Sequence, residues 1–152
     1  MTGYYSKDKL LEVGQNYPFL YVKAAVLEDG KQYIILEDVY GMRHFLESQP
    51  YSGYKLEQNS KVICTVQKKN CTGRFYIEPL HPVYKPGEIY SFIIDSILKE
   101  DESLQLTLID CFKNKIILEV DNHNVDSLKP GIEIKALVKE LKKGIPQLIL
   151  KY

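Results

Sequence analysis

The sequence contains no tryptophan, two methionines and three histidines, and its three cysteines, Cys64, Cys71 and Cys111, form no Cys-x-x-Cys pair. So sparse and odd a set fits neither a secreted disulfide framework nor a zinc knuckle, and the thiols are read as reduced. No cofactor and no metal are expected. His44, His81 and the three cysteines have spacings that match no familiar ligand pattern. Gly-rich phosphate loops are missing as well, and no serine or cysteine stands beside a histidine with an orienting group, so no enzyme activity is expected. Apolar runs never approach the ~20 residues needed to cross a bilayer, and the start, Met1-Thr2-Gly3-Tyr4-Tyr5-Ser6, has no apolar signal core. The expectation is a cytoplasmic chain with no membrane partner, in which the sequon Asn70-Cys71-Thr72 has no compartment in which to act.

Charge of one sign is also absent. Twenty Lys and Arg balance twenty Asp and Glu, so any basic surface must be local rather than global. What the chain does have is tyrosine, twelve in all, a residue that suits half-exposed sheet faces and stacking platforms.

It also has an internal repeat. Gly14-Gln15-Asn16-Tyr17-Pro18-Phe19 returns as Gly87-Glu88-Ile89-Tyr90-Ser91-Phe92, from position 14 to 87, an offset of 73. Leu36-Glu37-Asp38-Val39-Tyr40 matches Leu108-Ile109-Asp110-Cys111-Phe112, and Phe45-Leu46-Glu47 matches Ile117-Leu118-Glu119, both at offset 72. Leu56-Glu57-Gln58-Asn59 stands against Leu128-Lys129-Pro130-Gly131, and Val62, Cys64 and Val66 against Ile134, Ala136 and Val138. A duplication is the economical explanation.

Each copy alternates apolar and polar residues with a period of two, broken by turn signals, which predicts an all-β fold. Strands are expected near 17–27, 31–39, 42–47, 60–68 and 73–78, then near 90–99, 103–111, 115–120, 132–139 and 146–151. Five strands per copy is the count of the OB barrel. Residues 48–59 and 121–131 are expected to hold a short helix or ordered loop. The expected organisation is a helical turn or tail over 1–13 with Leu10 and Val13 docked, a first barrel over 14–80, a stiff Pro-containing linker over 81–86, and a second barrel over 87–152.

The Gly-x-x-Tyr-x-Phe opening, followed by Leu36, Asp38, Tyr40 and Gly41 as Leu-x-Asp-x-Tyr-Gly, resembles tandem OB domains of the RNA-binding and cold-shock-like kind. The resemblance covers nearly the whole chain at the level of fold. Such folds host nucleic acid, sugars and protein partners alike; in those that bind single strands, the ligand lies across the second and third strands and is gripped by the loops joining strands one to two and four to five. In copy two the turn glycine is replaced by Lys113-Asn114.

Taking Ile34, Leu36, His44 and Leu46 as inward leaves Tyr33, Ile35, Glu37, Arg43 and Phe45 outward in copy one. The loop between the fourth and fifth strands adds Lys68, Lys69, Arg74 and Tyr76. Rings stack on bases, and the cations supply phosphate contacts that the net charge does not. The candidate nucleic-acid-binding set is therefore Tyr33, Ile35, Arg43, Phe45, Lys68, Lys69, Arg74 and Tyr76. The same apolar face serves equally as a protein contact, alone or within a larger protein. Copy two offers Gln105, Thr107, Ile109, Lys115 and Ile117 instead, a poorer stacking surface, with a basic hairpin at 139–144. Asp38 and Asp110 are expected to accept turn hydrogen bonds rather than to act as acid or base. Oligomeric state is left open.

Overall fold

A computed structural model describes residues 10–121 and 127–150. The chain divides into two compact units, Met1–Leu80 and His81–Tyr152. The first contains β1 (Asn16–Val26), β2 (Gln32–Glu37), β3 (Arg43–Glu47), a 3-10 helix (Gln49–Tyr54), β4 (Lys61–Lys69) and β5 (Phe75–Pro79). The second contains β6 (Ile89–Lys99), β7 (Ser103–Ile109), β8 (Lys115–Asp121), β9 (Glu133–Lys142) and β10 (Ile145–Leu150). All pairings are antiparallel, and the strand orders β3-β2-β1-β4-β5 and β8-β7-β6-β9-β10 are one order repeated. That is the OB order, and the fold is all-β with two five-stranded barrels.

One long strand in each unit serves two neighbours. Leu20 of β1 pairs with both Glu37 and Lys61, and a register shift follows between Tyr21 and Lys23. The same shift recurs in β6 between Ile94 and Ser96. An extra residue on one strand raises its local twist and bends it, which lets a single strand turn the corner of a small barrel. Alternate residues point inward on either side of it: Phe19, Leu36 and Val66 in the first core, and Ile94, Leu106 and Val138 in the second, are all buried.

The turn between the second and third strands is built the same way in both units. Asp38 Oδ1 accepts hydrogen bonds from the Tyr40 and Met42 amides at 2.8 and 3.0 Å, and Asp110 Oδ1 accepts them from the Phe112 and Asn114 amides at 2.9 and 2.8 Å. The Lys113 replacement leaves the turn unchanged, since Gly41 has φ 85° and Lys113 takes φ 64°. A left-handed backbone costs a residue with a Cβ about 1 kcal/mol. Lys113→Gly is therefore expected to raise stability by up to about 1 kcal/mol, and Gly41→Lys to lower it, as read by urea denaturation.

Two sequence expectations need correction, and two segments lie partly outside the described residues. Leu11 is buried, whereas Leu10 and Val13 are exposed, and 10–13 is not helical. The remainder of the expected N-terminal turn, and residues 122–126 of the second connection, lie outside the described residues. Segment 81–86 is more than a connector: the Tyr84 ring is buried in the second core, 5.4 Å from Phe92 and 5.0 Å from Tyr90 by ring centroids.

His81 is buried beside Tyr84 and Phe112. Its Nδ1 accepts hydrogen bonds from the Val83 and Tyr84 amides, each at 3.0 Å, so that nitrogen must carry no proton. Burial holds the ring below its usual titration range, against the opposing pull of the Asp110 charge. The unfolded chain therefore takes up the proton first, and stability is fully present above about pH 6.5 and falls as pH drops through the unfolded value. Thermal melts from pH 7.5 to 5.5 are expected to show this loss. His81→Asn, which keeps an acceptor but does not titrate, is expected to flatten it.

Candidate functional site

A groove of about 530 Å³ opens in the first unit between its two edge strands. β3 contributes Arg43, His44 and Phe45, the β2–β3 turn contributes Asp38, Tyr40 and Met42, and the end of β4 contributes Lys69. The β4–β5 loop and the start of β5 add Thr72, Gly73, Arg74 and Phe75, with Leu10 and Leu11 completing the wall.

The turns explain why an opening exists here. In the second unit β9 and β10 are joined by Lys143 and Gly144 alone, both with positive φ, a tight hairpin connection, and β8 and β10 lie against one another. Most of the expected basic hairpin tip is thus strand: Lys139–Lys142 belongs to β9, with Leu141 buried. In the first unit the connection is the longer Asn70–Arg74. Its shape is set by Asn70, whose Oδ1 accepts from the Thr72 amide at 3.0 Å, the Thr72 hydroxyl at 2.7 Å and the Arg74 amide at 2.9 Å. Gly73 turns the chain at φ 85°. Arg74 is thereby presented to the groove by a loop tied through its own backbone.

The eight candidate residues divide. Arg43, Phe45, Lys69 and Arg74 line the groove; Tyr33, Ile35, Lys68 and Tyr76 do not. Alternation separates the two basic pairs, because Lys69 stands opposite Phe75 whereas Lys68 stands opposite Tyr76. Lys69 Nζ sits 5.4 Å from the centre of the Phe75 ring, and Lys68 Nζ 4.9 Å from that of Tyr76. Ile35 shares the outward face of β2 as expected, but it is only 6% exposed. Phe45 and Lys23 stand directly opposite it on its two neighbouring strands, and a residue so flanked offers no stacking surface. Phe45 itself is 49% exposed.

Electrostatics also favour the groove over the outer face. On that face Arg43 pairs with Glu37 at 3.8 Å and Lys31 with Glu47 at 3.6 Å. The Tyr33 hydroxyl donates to Asp29 Oδ2 at 2.6 Å, a bond that pushes the phenol up and the carboxyl down. Two glutamates and an aspartate there cancel the attraction a polyanion would feel. In the groove the one carboxylate is Asp38, buried and occupied by the turn amides and by His44 Nε2, which donates to its Oδ2 at 2.9 Å. Lys69 and Arg74, together with Arg43 from its pair with Glu37, thus face the opening against one internally satisfied anion.

Sequence reasoning missed Tyr40, Met42, His44 and Phe75 as groove residues. A usable signal was the Asp38 motif, which marks the turn next to them. Among the described residues no group of three or more His, Cys, Asp or Glu is gathered to hold a metal ion, and no helix is long and apolar enough to cross a membrane. Cys64 is buried beside the Glu78 charge, and burial pushes its thiol far up, away from nucleophilic use.

No family profile and no curated protein matches the sequence. Among solved structures the chain is similar to the cytoplasmic molybdate-binding protein ModG, in a crystal form with molybdate bound. The identity is 14% over 85% of this chain and 92% of that one, with a TM-score of 0.32. At that identity and score the likeness bears on neither ligand nor mechanism.

Proposed function

We propose that the chain is a non-enzymatic tandem OB module of the cytoplasm whose first barrel binds single-stranded nucleic acid, RNA or DNA, in the groove between β3 and β5. The observation that carries this reading is the convergence of Arg43, Lys69 and Arg74 on a groove whose walls include the rings of Phe45, Phe75 and Tyr40. Phosphates need the cations, and unstacked bases need the rings. A duplex keeps its bases stacked inside and gains only the first of these terms. The Asp38–His44 pair is read as support for the turn rather than as an acid–base couple, because every Asp38 contact above serves the β2–β3 connection. The alternative, a protein-interaction module, draws on the second barrel, where Ile117 takes the place of Phe45.

The test is a fluorescence-anisotropy titration of the full chain with labelled oligo-U, oligo-dT and a duplex at low and moderate salt. Binding that prefers single strands and weakens with salt is expected. An absence of binding even at low salt would refute the reading and leave protein contact as the function.

A further inference from the structure

A row of residues crosses the outward face of the second sheet. Ile93 of β6 pairs with Glu133 of β9 on one side and with Ile109 of β7 on the other, and Ile109 pairs in turn with Lys115 of β8. The sequence neighbours Phe92, Ile94, Leu108 and Ile116 are buried in the core, so the row faces outward. Ile93 is 55% exposed, and Ile117, two residues beyond Lys115 on β8, is 63% exposed.

The fold does not demand isoleucines there. The equivalent row of the first barrel reads Lys61, Leu20, Glu37 and Arg43, and is closed by the Glu37–Arg43 ion pair. Phe45 in that barrel stands where Ile117 stands here. Leu20, 38% exposed, is apolar like Ile93, so the two copies differ at the centre by Ile109 in place of Glu37, and the second row carries opposite charges at its two ends.

That arrangement is self-complementary. A two-fold axis lying in the plane of contact and running along the strands would set Ile93 of one copy against the partner's Ile109, and Glu133 against the partner's Lys115. Each contact is made twice, as an isologous interface requires. We propose that a second copy of this chain docks on this face and that the protein forms a two-fold dimer through its second barrel. The inference is independent of what the groove of the first barrel binds.

Sedimentation equilibrium of the full chain across a range of concentrations tests it. A reversible monomer–dimer equilibrium is expected. Lys115→Glu and Glu133→Lys, each placing like charges together at two symmetric contacts, are expected to weaken the dimer by about tenfold. The double reversal is expected to restore it. Ile93→Ser with Ile117→Ser is expected to leave a monomer whose melting is unchanged, both side chains being largely exposed. A chain that stays monomeric at every concentration would overturn the proposal and assign the face to another partner. So would a dimer indifferent to the isoleucines, or a double reversal no better than the single ones.

Discussion

Replacing Arg43, Lys69 and Arg74 together by alanine is expected to lower the affinity of the chain for a single-stranded oligonucleotide by about 100-fold at low salt, and to remove most of its salt dependence. The three cations come from separate elements, β3, β4 and the β4–β5 loop, and meet only at the groove. Each neutralised phosphate on a single strand contributes about 0.7 to the slope of log affinity against log salt, so three contacts give a slope near −2. Alanine at all three positions is expected to bring it towards zero. Arg43 also pairs with Glu37, so its single substitution is expected to have the smallest effect of the three. The control is Lys68→Ala, which removes an adjacent positive charge outside the groove and is expected to leave the slope nearly unchanged. Anisotropy titrations at several salt concentrations check both results; an equal loss from Lys68→Ala would show that net charge, not the groove, governs binding.

Asp38→Ala is expected to destabilise the first barrel by about 3 kcal/mol and to abolish oligonucleotide binding with it. The buried carboxylate accepts from two backbone amides and from His44, and truncation leaves those donors without partners. Tyr40, Met42 and His44, which line the groove, all hang on this turn. Asp38→Asn keeps an acceptor at Oδ1 and is expected to cost less than half as much. The matching change in the second barrel, Asp110→Ala, removes bonds from the Phe112 and Asn114 amides and from the Asn114 side chain. It is expected to destabilise to a similar degree while leaving affinity intact. Denaturant melts beside binding curves separate the two; unchanged stability in Asp38→Ala would contradict the role given to the turn.

The two copies, their strand count and the inward residues of the second, third and fourth strands were legible in the sequence because they rest on local patterns. Ile34 and Leu36, Cys64 and Val66, Leu106 and Leu108, and Ala136 and Val138 are buried at alternate positions, and the Asp38 and Asp110 turns repeat at a fixed spacing. The candidate site was only half legible. Phe45 and Arg43 could be placed on β3, and Lys69 and Arg74 near β5, but their meeting depends on two edge strands far apart in sequence. Alternation could assign Ile35 to the outer face, yet it carries no information about Phe45 and Lys23 closing over it from the strands on either side. Nor could it show that Lys68 and Lys69, adjacent in sequence, face opposite ways, until the register against Tyr76 and Phe75 was known. Tyr84 was missed as a core residue because a Pro-flanked segment reads as a connector, although its ring is large enough to complete a small barrel.

The claim that the groove is the binding site is tested most directly by photo-crosslinking the full chain to a single-stranded oligonucleotide carrying 4-thiouridine and mapping the modified residues by mass spectrometry. The account predicts adducts at Phe45, Phe75 or Tyr40, the rings that share the groove with the three cations. Adducts concentrated at Tyr33 and Tyr76, or on the second barrel, would contradict it.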